Sequence, residues 1–172
     1  MLYNYQLSTI NCQLLYMVTI ADSHRTLPNL PNLYQQDFFL WLETTAQQLR
    51  NGQLHQLDLA NLIEEIEDLG KREKRGVESN LEKLLMHLLK YKYQSEKRTN
   101  SWRYTIYEHR DRLQKAFQDS PSLRNYFTEV FHRAYGKARQ RAAIETGMEI
   151  NSFPEKSPFS IWETMDSDYL PE

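Results

Sequence analysis

Glu73, Asn80 and His87 recur at steps of seven residues. Together they bring a carboxylate, an amide and an imidazole, the groups of which acid–base sites and metal sites are made. Seven residues return an α-helix to nearly the same face, with a drift of about 20°. Ile66, one step earlier, shares a stripe with Leu62, Leu69, Leu84 and Tyr91, so the three polar groups are expected on the buried side. Burying any of them without a hydrogen-bond partner costs roughly 2–7 kcal/mol, so each is expected to find one.

The segment "RTNSWRYTIYEHR" offers partners. His109 sits at the centre of its apolar stripe with Trp102 and Leu113, and Arg103 and Arg110 share the edge of that face. The expected polar seam is therefore Glu73, Asn80, His87, Trp102, Arg103, His109 and Arg110. Three chemistries fit these types. In the preferred reading the seam is structural: an imidazole and a carboxylate satisfied by each other and by an arginine fix the register of two helices. In the second, His87 and Glu73 act as the acid–base pair of a hydrolytic enzyme. In the third, Glu73, His87 and His109 ligate a metal, but their spacing matches neither H-E-x-x-H nor the E-x-x-H of di-iron bundles, so no metal or other cofactor is assigned.

Two further stretches carry charge in a pattern. In "LIEEIEDLGKREKR", Glu64 and Asp68 fall opposite the apolar stripe while Glu65 and Glu67 flank it. Adjacent carboxylates on a helix diverge by about 100°, so the run reads as a solvated face rather than a metal box. From the next turn onward Lys90, Lys92, Lys97, Arg98, Arg103, Arg110, Arg112, Lys115 and Arg124 interleave with Tyr91, Tyr93, Trp102 and Tyr107. That composition can hold phosphates and stack bases, which makes nucleic acid an alternative partner.

Five helical segments must position these groups. Phe38, Trp41, Leu42, Ala46 and Leu49 mark one helix over about 33–50, stopped by Asn51-Gly52. Asp58 caps a second that runs without proline to Tyr91, about 50 Å at 1.5 Å per residue, with Gly70 and Gly76 as weak points. Trp102, Ile106, His109, Leu113, Ala116 and Phe117 define a third. "DSPSL" ends it and starts a fourth, with Asp119 or Ser120 as cap and Pro121 in the first turn. That helix carries Leu123, Phe127, Val130, Ala134 and Ala138 inward and stops at Gly147; a short helix around Ile161 and Trp162 lies in the tail. No strand-like alternation and no long repeat occurs. The expected fold is all-α: an antiparallel bundle of four main helices built around one long helix, with a short C-terminal helix and an extended tail. Residues 1–32 are expected to form a poorly ordered arm, with Met17 as an alternative start, and residues 33–172 one helical domain.

The 172-residue chain is 40% apolar and 26% charged, ordinary values for a globular domain that builds its own core. Cys12 is the only cysteine, so there is no intrachain disulfide and no cysteine-based zinc site, which fits a reducing cytoplasm. The apolar run "LLYMVTI" is too short to cross a bilayer and lacks a basic flank, so no membrane partner is expected. Charge is uneven: 7 basic and 11 acidic residues over 1–85, 13 and 5 over 86–143, and 1 and 7 over 144–172. An acidic tail folded back over its own basic middle is the expected consequence.

The blocks "LYQQDFFLWLETTAQQLRNG", "LDLANLIEEIEDLGKREKRGVESNLEKLLMHLLKYKYQ", "RTNSWRYTIYEHR", "DSPSLR", "AYGKAR" and "FPEKSPFS" occur in order. They resemble the family known as domain of unknown function twenty-nine, described mainly from cyanobacteria. The resemblance runs from about Leu33 to the C-terminus and implies an all-helical fold with no assigned activity. Its most recognisable positions are Glu64, Glu65, His87, Leu88, Leu89, Lys90, Ser101, Trp102, Arg103, Ser120 and Pro121. His109 stands where the family pattern often has glutamine, which tells against it as a ligand. The function expected from all of this is a non-catalytic interaction or regulatory module whose partner is another protein. The hydrolase and the nucleic-acid binder are its alternatives, and the oligomeric state stays open.

Overall fold

Asp37 divides the first expected helix in two. In the computed structural model, which describes residues 30–172, its carboxylate accepts a hydrogen bond from the Leu40 amide at 3.0 Å, and its φ of −148° takes the chain out of helical geometry. Helix α1 is therefore Leu30–Gln36 and α2 is Phe38–Arg50. Asn51 caps α2, and Gly52 at φ +70° supplies the left-handed residue that turns the chain away. Residues 1–29, with most of the expected arm, Cys12 and Met17, lie outside the described residues.

Asp58 starts α3 as expected, accepting from the Asn61 side chain at 2.6 Å, and the helix runs unbroken from Leu59 to Tyr93. Thr99 caps α4 (Asn100–Asp119), with its hydroxyl accepting from the Trp102 amide at 3.3 Å. The start of α5 (Leu123–Thr146) differs from expectation: neither Asp119 nor Ser120 gives a side-chain cap. The backbone closes the turn instead, with the Leu123 amide donating to the Ser120 carbonyl at 3.0 Å. Gly147, at φ +70°, ends α5 as predicted. Ser160 and Glu163 form a reciprocal capping box that holds the five-residue α6 (Ile161–Met165).

The described residues are all helix and connection, with no strand. Four of the six helices among the described residues are long, and α3 is the longest, which is the expected all-α class. The described residues divide into two compact units, 30–65 and 66–172, with the border inside α3. In the first unit Tyr34, Phe38 and Trp41 pack as an aromatic cluster with centroids 4.9–5.7 Å apart, and the Tyr34 hydroxyl donates to Glu65 at 2.7 Å. The expected inward face of α2 is corrected here: Trp41, Thr45 and Gln48 are the buried residues, while Phe38, Leu42 and Leu49 are 41–45% exposed.

In the second unit the core is one cluster in which Val77, Leu81, Leu84, Leu85 and Leu88 of α3 meet Ile106, Leu113 and Phe117 of α4. The α5 side chains Phe127, Val130, Ala134 and Ala138 complete it, as the periodicity predicted. Short connections make the three helices run up, down and up. Ion pairs then set the register of α3 against α5: Glu78 with Arg133 and Lys90 with Glu145 share a sequence offset of 55 residues. A constant positive offset is what two parallel helices require. Between them the buried Glu82 receives Lys137 at 2.9 Å and Arg141 at 3.2 Å.

The acidic tail does fold back on the basic middle, through the Glu145 carboxylate on Lys90 and, further along, through backbone oxygens. Arg98 donates to the Pro171 carbonyl and Lys92 to the main-chain oxygen of Glu172. The buried Arg110 guanidinium donates to the carbonyls of Thr164 at 2.9 Å, Glu163 at 3.3 Å and Ser167 at 3.5 Å. Arg110→Met is expected to cost about 2–3 kcal/mol, because it removes charge-assisted bonds and strands the carbonyls they satisfy. Urea midpoints should fall accordingly and the tail after Ser160 should become protease-sensitive; an unchanged midpoint with a resistant tail would contradict this role.

Candidate polar site between α3 and α4

Helix α3 presents Asn80 and His87 towards α4, which returns His109 antiparallel to it. The Asn80 side chain donates to its own helix, at the Gly76 carbonyl 2.7 Å away. Its oxygen is thereby left for the His109 Nδ1, at 2.8 Å. Asn80 Oδ1 can only accept, so the His109 proton sits on Nδ1 and the ring donates. Burial, and then the nearby Lys83 and Arg112, hold the His109 pKa below its ordinary value, which keeps the imidazole neutral.

His87, two turns along, is half-buried and its Nδ1 is buried without a hydrogen-bond partner. Desolvation first, then the neighbouring Lys90 ammonium, push its pKa down to about 4, and Glu145 only partly opposes them. Lys90 itself is held between two groups: its ammonium meets Glu145 Oε2 at 2.6 Å and stands 4.6 Å from the centre of the Trp102 ring. Such a cation over an indole, with a carboxylate on its other side, is well satisfied.

The seam expected from the sequence is thus partly assembled. Asn80 and His109 pair, His87 and Trp102 lie around Lys90, and Arg110 is buried but serves the tail. Arg103 is exposed. Glu73 is corrected outright: it is exposed and belongs to no buried network. Even on the same face it cannot reach His87, because fourteen residues along a helix separate them by about 21 Å. Glu73 and His87 therefore form no acid–base pair, and the trio Glu73, His87 and His109 gathers no metal. No group of three or more metal-ligating side chains occurs among the described residues.

Glu82, Lys90 and Glu145 went unnoticed as site residues. Lys90 belongs to the basic strip that was expected to be free for phosphates, whereas it is 7% exposed. Pairings 55 residues apart leave no local signature in sequence. The aromatic side of that strip is also engaged internally: Arg98 covers Tyr91, with 4.6 Å to the ring centre, and Tyr93 packs edge-on against Phe153. Asn80, His87 and His109 line neither the cavity walled by Leu42 and Gln53, nor that walled by Phe117 and Trp162, nor that walled by Tyr107 and Arg110.

Two outcomes follow for stability. Asn80→Ala strands the buried His109 N–H and should cost about 1–3 kcal/mol, whereas His87→Leu, which removes an imidazole whose Nδ1 has no partner, should change stability at pH 7 by less than about 1.5 kcal/mol. The folded-state pKa of His87, about 4, lies below its unfolded value of 6.5, so the unfolded chain takes up the proton first. The stability it contributes is complete above pH 6.5, drains away as pH falls towards 4, and falls no further below that. The difference between wild-type and His87→Leu denaturation curves across that window isolates it; a difference independent of pH would show that the ring titrates normally.

No curated protein and no solved structure matches the chain. A family model does, over residues 33–170, which takes in every helix of the polar site and its register contacts. The chain belongs to the DUF29 family, a domain of unknown function.

Proposed function

We propose that this chain is a non-catalytic interaction module that binds another protein through the first half of α3. The observation that carries this reading is the exposure of Leu59, Ile63, Ile66 and Leu69, which are 54–60% accessible although they continue the stripe that is fully buried from Leu81 onward. Four large aliphatic side chains on consecutive turns of one helix face, left in water, are what an interaction surface requires and what a finished monomer avoids. On α2, Phe38, Phe39 and Leu42 are likewise 41–69% exposed.

The alternatives draw less support. A hydrolase built on His87 and Glu73 lacks the juxtaposition it needs, and the polar site opens into none of the cavities described. A nucleic-acid surface at the α3–α4 junction needs free aromatics and free cations. There Lys90 is paired with Glu145 and Trp102, and Arg98 with Tyr91 and the tail. No helix among the described residues is long and apolar enough to cross a membrane. A cytoplasmic setting, which the lone cysteine favours, completes the reading.

Photo-crosslinking in cells tests it. A photoreactive residue at Ile66 should give protein adducts, while the same residue at Ile144 of α5, 81% exposed but without aliphatic neighbours on its turn, should give far fewer. Equal yields at the two sites, or none at Ile66, would count against the α3 face as a binding surface.

A further inference from the structure

We propose that the partner on this face is a second copy of the chain, whose α3 lies antiparallel across the first. The proposal rests on the reading of α3 as an interaction surface and names its occupant. What identifies the occupant is the order of charge on the flanks: Glu64, Glu65, Glu67 and Asp68 precede Leu69-Gly70, and Lys71, Arg72, Lys74 and Arg75, with Glu73 among them, follow. Reversed end to end, the flanks of the segment are electrostatic complements of each other.

The helical wheel makes the match specific. With Ile66 at the centre of the apolar face, Glu67 and Lys74 fall on one flank, at about 100° and 80°, and Glu65 and Arg72 on the other, at about −100° and −120°. A two-fold axis that reverses the helix sets like flank against like flank. Glu67 then meets Lys74 of the second copy, and Glu65 meets its Arg72. The midpoints of both pairs fall within about a residue of the Leu69–Gly70 bond, so one axis serves both, and symmetry makes four ion pairs. Parallel pairing would instead oppose flank to flank, bringing Glu67 to Glu65 and Lys74 to Arg72, which repels.

Sedimentation equilibrium of the full chain and three variants tests the proposal. The wild type should show a concentration-dependent dimer. Glu67→Lys and Lys74→Glu should each weaken it, by roughly tenfold, through two lost and two repulsive contacts. The double variant should restore wild-type association, because residues 67 and 74 are about 10 Å apart on their own helix and cannot compensate each other within one chain. A monomeric wild type, a dimer insensitive to either reversal, or a double variant that stays weak would overturn the proposal. The crosslink at Ile66 separates this failure from failure of the broader reading. An adduct with a different protein, or with residues 1–29 of the same chain, removes the second copy as occupant, and only the first of these leaves the interaction module standing.

Discussion

A 35-residue helix is longer than the helices that sheathe it. At 1.5 Å per residue α3 extends about 52 Å, whereas α4 and α5, of 20 and 24 residues, extend about 30 and 36 Å. The mismatch decides where the core lies. From Val77 to Lys90 the inward side chains of α3 are closed off by α4 and α5, and ion pairs at a constant offset lock the helices in register. Before Val77 the same stripe continues in sequence but not in burial.

Much of the fold could be read from the residues because it depends on local rules. Asp58 and Gly147 cap where expected, and the inward residues of α4 and α5 follow their periodicity closely. What the wheel cannot supply is coverage. It places Glu73 on the same face as Asn80 and His87, and it is right about direction; the face is simply open at Glu73 and closed at Leu81. Nor does a wheel carry distance along the axis, which is why residues fourteen apart looked like neighbours. On α2 the same method put Phe38, Trp41, Leu42, Ala46 and Leu49 inward; Trp41 is buried as expected, but the buried line continues through Thr45 and Gln48.

The polar site makes the complementary point. Asn80 and His109 were legible as members of one seam, because an unpaired polar group in a covered stretch is too costly to persist, but their direct pairing was not. Lys90 was not, because a lysine beside tyrosines and other cations reads as solvent-facing. Its burial depends on Glu145 and Trp102, two residues on two other helices. The outcome is a set of groups that neutralise one another inside a helical core, with His87 held uncharged beside a retained cation. These groups sit in the packing of α3 against α4, and the more accessible feature of the helix is its apolar first half.

Amide hydrogen exchange along α3, followed at low and high protein concentration, tests this division most directly. The account predicts that amides from Leu81 to Lys90 exchange slowly at every concentration. Those from Ile66 to Arg75 should exchange faster in dilute solution and slow as the concentration rises, when a second helix covers them. Uniform slow exchange along the whole helix in dilute solution would show that the first half is already covered within one chain, and would contradict the account.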